Sequence, residues 1–130
     1  MLVIMEERLR QSLLYDFYGE LLTEHQKSVF SAAIFDDMSY SELAEEFDCS
    51  RQAAFDLIRR INKKLEGYED RLGLLERFTV AQGKMKELKA SVIEMNDTLE
   101  NSKIDKSIKN NLNSHLQEIT NLSSEIFDKF

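Results

Sequence analysis

The sequence predicts an all-α protein: a helix-turn-helix domain followed by a long C-terminal helical hairpin of coiled-coil type. Three observations predict it. The 130 residues include no proline and only four glycines, Gly19, Gly67, Gly73 and Gly83, and those two residue types are what normally interrupt helices. Leu, Glu, Lys, Gln, Ala and Met recur throughout, with no sustained alternation of β-branched residues. Apolar residues return at intervals of three and four along most of the chain.

The first clear helix is Leu9 to Leu22, where Leu14, Phe17, Tyr18, Leu21 and Leu22 share one stripe. Thr23 with Gln26 forms a capping-box pattern, so a second helix runs from Glu24 to about Phe35, with Val29, Phe30, Ala33 and Ile34 inward. Asp36-Asp37-Met38 breaks it. Ser39 with Glu42 repeats the pattern and opens a short third helix, Tyr40 to Phe47, burying Leu43, Ala44 and Phe47. Ser50 caps a fourth, in which Ala54, Leu57, Ile58, Ile61 and Leu65 keep the 3.6-residue period. Gly67 is the expected stop. A fifth helix over Tyr68 to Phe78 follows or continues the fourth.

Beyond residue 80 the composition changes, which places a domain over 1–80 and an appendage over 81–130. Met85, Leu88, Val92, Met95 and Leu99 make a two-heptad seam. Asn101-Ser102-Lys103 is the expected turn, with Ser102 as cap. Ile104, Ile108, Leu112, Leu116, Ile119, Leu122 and Ile126 then form one long stripe. Each arm has a single apolar edge that must be covered. The arms can zip to each other, to the first helix or to a second subunit.

The formal net charge is −7, which argues against indiscriminate coating of nucleic acid. The charge is unevenly distributed. Asp16 to Asp48 holds nine acids and one base, Lys27; Arg51 to Lys64 holds five bases and one acid, Asp56. A basic helix on an acidic body follows. Met1 to Met5 is too short an apolar run for a signal-peptide core, and no stretch is long enough to span a membrane. Cys49 is the sole cysteine, so no intrachain disulfide forms and the cytoplasm is the default compartment.

Tyr40 to Arg59 carries helix-turn-helix logic. Ala44 is small where two helices cross, Asp48-Cys49-Ser50 makes the tight turn, and Ala54 and Ile58 return the second helix to the core. The turn position favours φ > 0, which Asp tolerates better than most residues. The second helix of such a unit enters the major groove with its N-terminal residues at base edges. Those are Ser50, Arg51, Gln52, Phe55 and Asp56, with Arg59 one turn on. Arg51 suits guanine and Gln52 adenine, while Arg59, Arg60 and Lys63 suit phosphates. Units of this shape also serve as protein-docking modules, and Asp56 with Glu42, Glu45 and Glu46 would repel a phosphate backbone.

Leu14-Tyr15-Asp16-Phe17-Tyr18, Leu21 to Gln26, Leu43 to Phe47 and Ser50-Arg51-Gln52-Ala53 together resemble the YlxM family of small bacterial proteins over residues 5–78. The central unit is also similar to the promoter-reading C-terminal region of sigma factors. The family's usual Val-Tyr after Ser-Arg-Gln-Ala is Ala54-Phe55 here, which keeps an aromatic on the reading face. The resemblance implies a non-catalytic DNA-binding regulator linked to the signal recognition particle, whose GTPase gene neighbours the family's genes. The alternative is an adaptor for that particle's RNA or GTPase.

No catalytic or metal site is expected and no cofactor. His25 and His115 lie far apart in no ligand spacing, Cys49 sits among acids that disfavour a thiolate, and there is no glycine-rich phosphate loop. The first helix shows more apolar surface than a small domain readily covers. Either this face is ordinary core, or part of it, Leu14, Tyr15, Phe17, Tyr18 and Leu21, forms the interface of a homodimer together with the heptad arms.

Overall fold

The computed structural model describes residues 2–128. Its elements are α1 (Leu2–Tyr18), a 3-10 turn (Gly19–Leu21), α2 (Glu24–Ile34), α3 (Tyr40–Glu46), α4 (Arg51–Leu72), α5 (Leu74–Glu100) and α6 (Lys106–Asp128). The protein is all-α. The chain forms two compact units, Met1–Glu76 and Arg77–Phe130, so the compositional break at residue 80 lies inside α5.

In the first unit, α4 is the central strut. Its inward row of Ala54, Ile58, Ile61 and Leu65 is buried, and α1, α2 and α3 pack against it. They contribute Leu14 and Tyr18, Val29 and Phe30, and Leu43, each at most 1% exposed. A fully buried side chain of this size stabilises by roughly 1.5–3 kcal/mol. Both capping boxes form. Thr23 and Gln26 exchange side-chain-to-backbone hydrogen bonds of 3.0 and 3.2 Å, and Ser39 and Glu42 exchange bonds of 3.2 and 3.1 Å.

Helix α1 stops earlier than its apolar stripe suggests. The Tyr15 ring lies so close to Gly19 that a Cβ there would sit 3.3 Å from it, and the chain tightens into the 3-10 turn. Gly67 does not end α4. The helix runs through it, because a glycine with helical dihedrals only weakens a helix. The stop is six residues later, at Gly73, whose φ of 63° takes the left-handed conformation while its N–H donates to the Glu69 carbonyl at 2.8 Å. The segment Tyr68 to Phe78, expected to follow or continue the fourth helix, is thus divided: Tyr68 to Leu72 continue α4, and Leu74 to Phe78 begin α5.

The junction is held by a buried carboxylate. Glu69 is 9% exposed. Its Oε1 accepts the Tyr18 hydroxyl at 2.6 Å and the Leu75 N–H at 2.9 Å, and its Oε2 accepts the Glu76 N–H at 3.0 Å. The Tyr18 oxygen in turn accepts the Leu74 N–H at 3.0 Å. The first N–H groups of α5 are therefore capped by side chains from α4 and α1, where a helix end would otherwise leave them unpaired. Burial pushes the Glu69 carboxyl upward in pKa, but the bonds from Tyr18, Leu75 and Glu76 outweigh it and the net shift is down. Burial and the bond to Glu69 raise Tyr18. On the surface, Arg10 grips Glu66 through two 2.7 Å bonds, and this pairing lowers the Glu66 carboxyl.

In the second unit α5 and α6 pair. Leu99 and Leu116 are buried, and the Phe78 and Phe127 ring centroids are 5.1 Å apart. Ser102 does not cap α6. Its hydroxyl donates to the Leu99 carbonyl at 2.7 Å and so closes the C-terminal end of α5. The Lys109 ammonium adds a 3.2 Å bond to the Glu100 carbonyl.

Two outcomes test the Glu69 clasp. Glu69→Ala leaves one hydroxyl and two N–H groups without their acceptor and is expected to cost about 3 kcal/mol in urea unfolding, against about 1 kcal/mol for Tyr18→Phe. A carboxylate with a lowered folded pKa contributes stability above its ordinary value of 4.5 and loses it as pH falls through the folded value. Stability is thus expected to drop below about pH 4.5, and Glu69→Gln should flatten that acid limb.

Candidate nucleic-acid interface

The turn between α3 and α4 sets the site. Phe47 closes α3 through a 2.9 Å bond to the Leu43 carbonyl, Asp48 takes φ = 52°, and the Cys49 N–H reaches back to the Ala44 carbonyl at 2.9 Å. This is a Schellman closure with aspartate where glycine is usual. Ser50 then caps α4, its Oγ accepting the Ala53 N–H at 3.0 Å. Ala54 and Ile58 face the core, so Arg51, Phe55 and Arg59, four residues apart, share an outward row.

Ser50, Arg51, Gln52, Phe55, Arg59, Arg60 and Lys63 are all exposed, and Asp56 is half-buried. Phe55, 40% exposed, meets Tyr40 of α3 edge to face at a centroid distance of 5.2 Å. The Gln52 amide donates to Asp56 at 3.2 Å. That bond occupies the acid within its own helix. It uses one of the two amide hydrogens of Gln52 and leaves the other hydrogen and the Oε1 oxygen for a base. Among the described residues, Arg51, Arg59, Arg60 and Lys63 form no ion pair with a carboxylate. The four cationic heads therefore stand free around the exposed part of α4, with Arg51 and Arg60 on opposite sides of the helix.

A groove of about 570 Å³ runs beside this row. Its walls include Arg51, Phe55, Arg59 and Asn62 of α4, Ser39 and Tyr40 at the start of α3, and Arg8 of α1. Tyr40, Asn62 and Arg8 are not evident from the sequence pattern. Tyr40 reads as an ordinary first helical residue, and Arg8 lies more than forty positions from Arg51. Asn62 shows only as a polar residue beside a buried row, yet its Oδ1 is buried without a hydrogen-bond partner. Arg8 is paired with Asp37, a residue at φ = 55° between α2 and α3.

The expected dimer face on α1 is not available as a surface. Leu14 and Tyr18 are each 1% exposed and belong to the core. Tyr15 is half-buried, stacked on Phe30 at 5.7 Å and edge-on to Phe35 at 5.4 Å. Phe17 is half-buried and packs against the same core. Only Leu21, 52% exposed, faces out. The surplus aromatic surface is absorbed by α2 and α4 within the unit.

The family described as "Putative helix-turn-helix protein, YlxM / p13 like" matches residues 5–122. The chain belongs to this family. A UPF0122 protein of Listeria welshimeri is 42% identical over 107 residues, covering 77% of this chain and 97% of the relative. One from Bacillus thuringiensis is 45% identical over 91 residues, covering 70% and 83%. One from Shouchella clausii is 43% identical over 89 residues, covering 68% and 82%. The match extends past the first unit into α6, so the YlxM/p13-like unit of description is the helix-turn-helix together with most of the hairpin. Among the described residues of this YlxM-like chain there is no cluster of three or more His, Cys, Asp or Glu suited to a metal, and no helix is long and apolar enough to cross a membrane.

Asp48 offers a local test. A non-glycine residue in the left-handed region is strained, less so for Asp than for most. Asp48→Gly is expected to raise the unfolding free energy by up to about 1 kcal/mol with an unchanged circular dichroism spectrum. Loss of stability would show that the turn is held by the side chain and not by its dihedrals.

Proposed function

We propose that the protein is a non-catalytic DNA-binding regulator that sets the N-terminal half of α4 in the major groove. It works in the cytoplasm as a homodimer, in connection with the signal recognition particle pathway. The observation that carries the reading is the set of exposed cations Arg51, Arg59, Arg60 and Lys63, free of carboxylate partners among the described residues, on the second helix of a helix-turn-helix. Arg51 and Gln52 reach base edges, Phe55 provides apolar contact, and Arg59, Arg60 and Lys63 hold phosphates. Asp56, held by Gln52, sets the position of that amide. The family description supports the helix-turn-helix; the particle link comes from the resemblance alone.

A protein or RNA component of the particle is the second reading. One observation favours it: Glu45 and Glu46 of α3 are exposed on the helix next to α4, where they oppose a phosphate backbone. Genomic fragments and random duplexes should be shifted by the protein with an affinity that falls steeply as salt rises. Arg51→Ala with Arg59→Ala should weaken binding by at least tenfold and lower the salt slope by about two. A salt-independent shift, or capture of the particle's RNA or GTPase without duplex binding, would replace DNA with the second partner.

A further inference from the structure

Apart from Leu116, the apolar stripe of α6 is not the face that α6 turns toward α5. At 100° per residue, the partly or fully buried positions Lys109, Asn113, Leu116, Thr120, Ser123 and Phe127 define one side, and most of them are polar or small. Ile108, Leu112, Ile119, Leu122 and Ile126 lie roughly 100° around the helix and are 39–69% exposed. In α5, Met85, Val92 and Leu99 are on the half-buried or buried side, while Leu88 and Met95 of the same seam are 38% and 52% exposed. The α5 seam is thus used in part inside the hairpin, and the α6 seam is left open along its length.

We propose that the open seam of α6 pairs with the same seam of a second copy, antiparallel, about a two-fold axis at the level of residue 117. The seam runs Ile108, Leu112, His115, Ile119, Leu122, Ile126, stepping by 4, 3, 4, 3 and 4. Reversed on itself, it sets Ile108 against Ile126 of the second copy, Leu112 against Leu122, and His115 against Ile119. Like shapes meet in the outer layers, and each a position faces a d position, as antiparallel packing requires. Antiparallel helix dipoles attract where parallel ones repel.

Charge selects the same place. Residues 77–130 hold eight bases and eight acids, whereas residues 1–76 hold nine bases and sixteen acids. Two copies repel through their first units and not through their hairpins. The area is sufficient. Five side chains exposing roughly 100 Å² each give about 1,000 Å² over two copies, near the lower limit for a specific interface.

This inference names the surface behind the homodimer of the proposed function and does not depend on DNA binding. Sedimentation velocity of the full chain from about 1 to 100 µM should show a monomer–dimer equilibrium, and Leu112→Glu with Leu122→Glu should abolish it while helicity is retained. In a Cys49→Ser background, Ile108→Cys combined with Ile126→Cys should give a covalent dimer on mild oxidation, and neither cysteine alone should. The two positions are about 27 Å apart on one helix, so they cannot close within a chain. A wild-type monomer at 100 µM overturns both the dimer and the seam. A dimer that survives the Leu112→Glu, Leu122→Glu change overturns the seam alone. Self-linking by Ile108→Cys alone overturns the antiparallel register.

Discussion

The Glu69 carboxylate is the constraint on which the first unit depends. It is buried, and a buried carboxylate without partners would cost more than such a small domain can spare. Three donors from two directions satisfy it: the Tyr18 hydroxyl from α1 and the N–H groups of Leu75 and Glu76 from α5. The same bonds fix where α5 begins, and Gly73 permits the change of direction just before it. Since Tyr18 and Glu69 are 51 positions apart, their contact closes α1 against the far end of α4. The N-terminal half of α4 is then free to face outward, because the helix is anchored at its other end and along its inner row.

That anchoring explains how an acidic protein can present a basic edge. Five other carboxylates of the first unit are committed locally. Glu66 holds Arg10, Asp37 holds Arg8, Glu20 and Glu24 hold Lys27, and Glu42 is taken up in a capping box. Surface pairs of this kind add little to stability. Their larger effect is on the field: each neutralised carboxylate is one fewer to compete for the α4 cations. Asp56, the acid closest in sequence to those cations, is bonded to Gln52.

Element type and order were legible because the starts of α2, α3 and α4 each have their own chemical signal. Thr23, Ser39 and Ser50 each accept an N–H three residues on, an interaction readable from sequence because it is local. The left-handed turn at Asp48 was legible for the same reason. Where the pattern misled, a distant contact had overruled it. Gly67 reads as a stop, but α4 continues because Tyr68 and Glu69 are held by groups from α1. The α1 stripe reads as surplus surface, but Phe30 and Phe35 cover Tyr15. Ser102 reads as an N-cap, but the nearer carbonyl of Leu99 takes its proton. In the candidate interface, the α4 residues were legible from spacing and charge. Tyr40, Arg8 and Asn62 were not, since they meet α4 only through the fold.

The two units bear on each other through arithmetic more than through shape. Four free cations on one helix can neutralise only a few phosphates, and each contributes a salt-sensitive increment to affinity. On the proposed function, a unit with sixteen acids and nine bases would hold duplex weakly on that basis, and one reading helix would cover few base pairs. Joining two such units converts the second encounter into an intramolecular one and raises affinity without any new contact. A neutral hairpin with an uncovered heptad seam is a suitable joint for acidic units, since it supplies attraction where their own surfaces supply repulsion. If the chain dimerises through that joint as proposed, the association would be concentration-dependent, and occupancy of a two-half-site target would vary with roughly the square of the protein level at low concentration. The response would then be steeper than a monomeric helix-turn-helix protein could give.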